Sequence, residues 1–401
     1  EVLIDDKPLL HAITLDLPLV DPGARIPLTV SAKQPGNGTL KLDASADPAH
    51  PGALQPAEWP LDADLSLDQI NLEELLAPLA AIAAFPTGKG QLSGTVTLSQ
   101  TAGEPLHAQT NLRAADVLLT GGPLKTDQLL LATAGIDANI VLSDPPLIHS
   151  SQISLPFATL SASGTPERVE IQGQITLAPL ASALPATLGL QKGMTVEGGT
   201  LRFRATLEEK PEQRLGLDAS LRLDGLAGTL GDQAIAWNQP VILVVDGVFG
   251  ADHLELSRLQ ANASFLQISG KGTLEDFEAS AQIDLTKGLK EIGAFVDLGG
   301  WQADGNIDLT VRITPGNDQP QDLSASIAFA KLSVSDNGLP LITEQDIGWT
   351  ITGSGDLAKH QLAQLDIAHT SALATGELVL TDLVGAIDDT PATFGRLKAN
   401  G

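Results

Sequence analysis

The sequence predicts a mostly β protein: an elongated, curved, antiparallel-rich sheet folded along its length into an apolar groove, with one short helix in each repeat. Three observations carry that expectation. First, apolar and polar residues alternate with a period of two over long stretches. In GNIDLTVRI (Gly305 to Ile313), Ile307, Leu309, Val311 and Ile313 fall on one face of a strand, and Asn306, Asp308, Thr310 and Arg312 on the other. Second, such stretches return at nearly constant intervals. Third, the chain is 43% hydrophobic but only 3% aromatic, with 9 Phe, 4 Trp and no Tyr in 401 residues. A buried aromatic removes about 150–250 Å² from water, so their scarcity suits thin, repetitive packing better than one thick core.

The repeat fixes the order of the elements. GQLSGTVTL begins at Gly90, GTLRFRATL at Gly199 and GNIDLTVRI at Gly305, at offsets of 109 and 106 residues. Their apolar columns agree: Leu92, Val96 and Leu98; then Leu201, Phe203, Ala205 and Leu207; then Ile307, Leu309, Val311 and Ile313. Gly94 leaves the one gap. NLRAADVLL, SLRLDGLAG and SIAFAKLSV follow from Asn111, Ser220 and Ser326 at the same offsets, carrying Leu112, Leu221, Leu223, Ile327 and Phe329. In all three the alternation slips by one residue, which inverts the faces unless the backbone bulges or the strand ends. A bulge or break is therefore expected at Ala115, Asp224 and Ala330. A further column reads Gly164, Gly270 and Gly376.

One helix precedes the first landmark in each repeat. Leu72, Leu75, Leu76, Leu79 and Ile82 have helical spacing, as do Leu177, Leu180, Ala181, Leu184 and Leu188, and Leu289, Ile292 and Val296. Pro78 and Pro185 limit the first two to a few turns, because an interior proline costs about 3 kcal/mol. Elsewhere strands are separated by turn chemistry such as SDNG at Ser335 to Gly338. The expected division is an irregular opening β segment over 1–60, then repeats over 61–170 and 171–279, and over 280–401 the third repeat with the start of the next, all within one continuous elongated domain.

Composition excludes several functions. A formal charge of −26 repels phosphate backbones and anionic membrane surfaces, so no nucleic-acid partner is expected. There is no cysteine, hence no disulfide framework or thiolate metal site. No apolar run is long enough to cross a membrane as a helix, and a chain that opens at Glu1 without Met reads as part of a longer protein. No catalytic or metal constellation emerges. The seven histidines show no i, i+4 pair, and His360 and His369, in one alternating run, read as positions on a solvated face or at a sheet edge. Gly88-Lys89-Gly90 and Gly270-Lys271-Gly272 lack the rest of a phosphate loop. Asp62, Asp64, Ser66, Asp68 and Glu73 have calcium-loop spacing, but Leu67 stands where the loop requires Gly, and an acidic outer strand face explains them. The chain therefore reads as a non-enzyme without cofactors.

An apolar sheet face must cover something. One helix per hundred residues is too little, so the interior reads as a groove lined by the sixteen apolar column residues named above, suited to hydrocarbon chains. At this point the phrases GQITLAPLASAL, GGTLRFRATL, LDASLRLDGL, AQIDLTKGLKEI and LSASIAFAKLSV resemble the AsmA-like bridge proteins of Gram-negative envelopes, a group that includes the TamB- and YdbH-type proteins. The resemblance spans about residues 60–380 in pattern, with no fixed motif. It implies a periplasmic β-taco groove, an inner-membrane anchor outside this segment, an outer-membrane partner, and passage of phospholipid acyl chains along the groove. The competing expectation is a structural or adhesive β-repeat protein whose faces close into a dry sandwich.

Overall fold

The computed structural model describes residues 2–4, 7–21, 24–34, 37–48, 59–76, 86–250, 253–316, 321–356, 361–371, 375–384 and 396–400. The chain forms two compact units, Glu1–Gly189 and Leu190–Gly401. In the first, eleven strands follow in order: β1 (Val2–Ile4), β2 (Lys7–Asp16), β3 (Ile26–Lys33), β4 (Thr39–Ala46), β5 (Leu61–Asn71), β6 (Thr87–Gln100), β7 (Leu106–Thr120), β8 (Gln128–Leu142), β9 (Leu147–Leu155), β10 (Ala158–Thr165) and β11 (Arg168–Thr176). Helix α1 (Leu72–Leu76) follows β5, and α2 (Leu177–Ala183) follows β11. Each strand pairs antiparallel with the next, so the sheet is an open meander built from local connections.

The second unit repeats the plan with β12 (Met194–Lys210), β13 (Arg214–Leu230), β14 (Gln233–Ala236), β15 (Val241–Phe249), β16 (Leu254–Ala263), β17 (Leu266–Thr273), β18 (Phe277–Asp284), α3 (Leu285–Gly293), β19 (Trp301–Pro315), β20 (Gln321–Asp336), β21 (Leu339–Asp356), β22 (Gln361–Ser371), β23 (Thr375–Val384) and β24 (Arg396–Asn400). Both β14 and β15 pair antiparallel with β13. They are one strand interrupted around Trp237 and Pro240, where β8 and β21 run through without a break. The opening segment holds strands, and β3 and β4 continue the register of β5.

The slip in the alternation is a bulge, one residue beyond the expected positions. Asp116, Gly225 and Lys331 have φ of +51°, +63° and +55°, and each ladder shifts register opposite them. The facing residues are Gly90, Gly199 and Gly305, with φ of +144°, +126° and +119°. The bulge therefore needs a left-handed residue on one strand and a glycine on the other. At Gly305 an added Cβ comes 2.7 Å from the Ala330 oxygen and 2.8 Å from that of Lys331. Beyond the bulge, Val117, Leu226 and Leu332 resume the apolar face.

The glycine column of the sequence corrects differently. Gly164 and Gly272, both with φ near +125°, occupy matching places beside the turn of a hairpin, each pressed on a carbonyl of the facing chain. Gly270 lies two residues earlier with ordinary φ, and Gly376 sits at the start of β23. Strand alignment sets the equivalence; the spacing of similar-looking runs does not.

The helices sit at the ends of strands. Each continues directly from a strand and packs at the bulged end. Leu72 and Leu76 of α1 and Leu180, Ala183 and Leu184 at α2 join Val117, Leu119, Leu129, Leu131 and Phe157 in one cluster. Pro185 follows the last residue of that turn and stops α2, as its sequence requires. Helix α3 begins at Asp284, whose carboxylate accepts from the Lys287 N–H at 2.8 Å, an N-cap worth about 1 kcal/mol. The N–H groups of Thr176 and Asp284, at these strand-to-helix junctions, donate to the carbonyls of Phe157 and Phe265 at 2.8 and 2.9 Å. Residues Leu79 and Ile82, expected in α1, lie outside the described residues.

Candidate apolar binding face

Strand register assembles the sixteen predicted residues into continuous rows. In the second unit, Phe203 pairs with Leu221, Leu221 with Leu243, Leu243 with Ala261, Ala261 with Ile268 and Ile268 with Ala281. From Ala281 the row runs to Leu309, Ile327, Trp349 and His369. A neighbouring row passes through Ala205, Ala219, Val245, Leu259, Gly270, Ala279, Val311, Ala325, Ile351 and Ile367. Leu207 and Ile313 stand in a third row, Leu201 pairs with Leu223, and Ile307 lies between Ile283 and Phe329. In the first unit, Leu65 faces Val96, Ala63 faces Leu98, and Leu92 faces both Ile70 and Ala114. Gly94, the gap in the first repeat, sits between Leu67 and Leu112. An added Cβ there comes 2.1 Å from the Asn111 oxygen, so the backbone itself fills the row.

The degree of cover distinguishes this face from a core. Each of the sixteen residues is half-buried, none fully buried and none exposed. At the bulged end, by contrast, Val117, Leu129 and Leu131 fall to 5–8% exposure beneath the helices. A closed sandwich buries its inward rows completely, because the two sheets interdigitate about 10 Å apart. Here the rows are mostly partly covered, with smaller buried members such as Ala63, Ala261 and Ala281, and a packed cluster lies beneath the helices at the bulged end.

Two positions on this face escaped the sequence reading. Trp349 packs edge-on against His369 at 5.2 Å, and the buried His369 Nδ1 has no hydrogen-bond partner. His369 therefore belongs to the apolar row, a correction to its expected place on a solvated face or at a sheet edge; His360 lies outside the described residues. The signal was its spacing: His369 is two residues from Ile367, in phase with Leu365. Trp301 opens β19, half-exposed at 52%, and marks the corner between the loop after α3 and that strand.

The opposite face carries the charge. Asp62, Asp64, Ser66 and Asp68 project from strand β5, and all are exposed. Arg202 and Arg222 meet Asp224 at 3.2 and 2.8 Å, and Lys271 meets Glu278 at 3.1 Å. Such exposed pairs contribute at most about 1 kcal/mol each. A hollow of about 940 Å³ opens on this polar side around Arg258, Gln260, Lys271, Glu278, Thr310 and Arg312, so concavity alone does not mark the apolar face. Among the described residues no cluster of three potential metal ligands occurs, and no helix is long and apolar enough to cross a membrane.

No family model, curated protein or solved structure matches the chain.

Proposed function

We propose that the apolar face carries the acyl chains of phospholipids and that the protein is a non-enzymatic lipid conduit of the AsmA-like type, acting in the periplasm between two membranes. The supporting observation is that all sixteen row residues are only partly buried, none of them fully. A continuous apolar floor that its own chain leaves half-open is a hydrocarbon surface in search of a cover. Each CH₂ laid on it gains up to about 0.8 kcal/mol, so an acyl chain adds contacts along several strands without any directional bond. That suits a ligand that slides. The acidic opposite face keeps the sheet off anionic lipid surfaces and presents only the apolar side to the cargo.

Photo-crosslinking side chains at Leu201, Leu309 and Val311 test the reading, with phospholipid extracted and identified by mass spectrometry. Adducts to lipid are expected at all three. Adducts to protein alone, from sites that remain dry, overturn the proposal in favour of a closed structural repeat. Leu309→Asp is expected to lower lipid recovery several-fold while the far-ultraviolet circular dichroism stays unchanged, because the side chain is half-exposed.

A further inference from the structure

At the third bulge α3 reaches β19, where the Gly305 N–H donates to Thr286 Oγ1 at 3.1 Å. The strand on the far side of the bulge is covered by a helix in the first two corners and, among the described residues, by none in the third. In the first instance Leu129 and Leu131 of β8 are 8% and 5% exposed and pack with Leu180, Ala183 and Leu184 of the α2 segment. The contact is clamped by polar groups. The Asp127 carboxylate accepts from the N–H groups of Ala186 and Thr187 at 3.1 and 2.6 Å, and Lys125 donates to both carbonyls. In the second instance Trp237, after β14, stands edge-on to Phe265 and Phe295 at 6.0 and 6.1 Å. Its Nε1 donates to the Glu291 carbonyl of α3 at 3.2 Å.

Register identifies the third corner. Two residues past the hydrophobic position that follows each bulge stand Leu119, Gly228 and Val334, and their cross-strand partners are Leu129, Ile235 and Ile342. Leu129 is buried and Ile235 half-buried, whereas Ile342 is 44% exposed. Leu339 and Trp301 flank the same side at 70% and 52%, both paired with Asp336. Where Leu131 lies in the first corner, the third has Glu344, opposite Leu332, and Asp336 lies on the same side between Trp301 and Leu339. The bare corner is thus an apolar patch with an acidic rim.

We propose that this corner of β19–β21 is a docking face for the helix of a further repeat, of the α3 kind. Such a helix is apolar at i, i+3 and i+4 and carries lysines at its flank, as α3 carries Lys287 and Lys290. The apolar side covers Trp301, Leu339 and Ile342, and the lysines meet Asp336 and Glu344. Continuity supports the choice of partner: equivalent corners in both units take a short helix, and the acidic rim selects the lysine-bearing form over α2, which has no charged residue. The inference concerns assembly and does not depend on what the apolar rows carry.

The chain has no cysteine, so Leu339→Cys in the full chain takes one environment-sensitive fluorophore. A capped peptide of the α3 sequence, Asp284 to Phe295, is titrated against it. A saturable blue shift is expected, with half-saturation weakened about tenfold by Ile342→Asp and lost with a scrambled peptide of the same composition. A benzophenone in place of Leu289 of the peptide is expected to crosslink within Trp301–Ile342. No shift together with crosslinks confined to other regions overturns the proposal. So does a shift that follows protein concentration without peptide, since the corner is then a contact between copies.

Discussion

Gly305 shows how much one residue can decide. Its φ of +119° and the two carbonyls beneath it leave no room for a methyl group, so Gly305→Ala should destabilise β19 and β20 locally by about 1–3 kcal/mol. Native-state hydrogen exchange of those strands measures it. Gly348→Ala is the control: nothing lies closer than 4.0 Å to its added Cβ, and a change within about 0.5 kcal/mol is expected. Asp127 gives a pH dependence. Burial opposes its ionisation, but the N–H and hydroxyl of Thr187, the N–H of Ala186 and the Lys125 charge hold it below the usual carboxylate range. A depressed folded-state value stabilises above the unfolded value and is lost as pH falls through the folded one. Protection of the Ala186 and Thr187 amides should therefore be full near neutrality and fall away in acid, below the usual aspartate range; Asp127→Asn should remove that dependence. Residues of this kind are the least legible from sequence. A glycine in a pattern is visible, but the carbonyl that faces it comes from a strand more than twenty residues away.

The helices and bulges divide stability from binding. Leu184 is 8% exposed in the cluster beneath α2, so Leu184→Ala should cost about 2–4 kcal/mol. Leu309→Ala, on the half-open floor, should cost only about 1 kcal/mol, and thermal unfolding of the two variants side by side should separate them. Strands were legible because a period of two survives across whole elements, and the bulges because the slip recurs at one offset. Their exact position shifted by one residue, since the left-handed residue follows the last residue of the old phase. Placement of the helices was not legible: helical spacing in LAPLASAL names an apolar side but does not say which end of which strand receives it. The interruption between β14 and β15 was hidden for the same reason, as Trp237 serves a helix that begins nearly fifty residues later. His369 could have been found by strict phase counting, but a histidine on an apolar row runs against residue-type expectation.

Across the whole molecule, nearly every strand pairs with its neighbour in the chain, which makes stability a sum of local terms rather than one shared core. Denaturation should reflect this. The urea slope should be smaller than for a single cooperative unit of 401 residues, and hydrogen exchange should give more than one opening free energy, with the helix-covered β7 and β8 among the slowest. One sharp transition with a full-length slope would show a common core instead. Strand counting adds a last consequence. In the first unit, six antiparallel steps lead from β5 to β11; in the second, six lead from β12 to β19 when β14 and β15 count as one. Six is even, so each repeat returns the chain to the same heading, and helices and bulges collect at one end of the strands in each unit. Parity is thus a constraint on how such a protein can lengthen. A hairpin can be gained or lost without harm, but a single added strand sends the next helix to the opposite end, where no bulge is waiting to receive it.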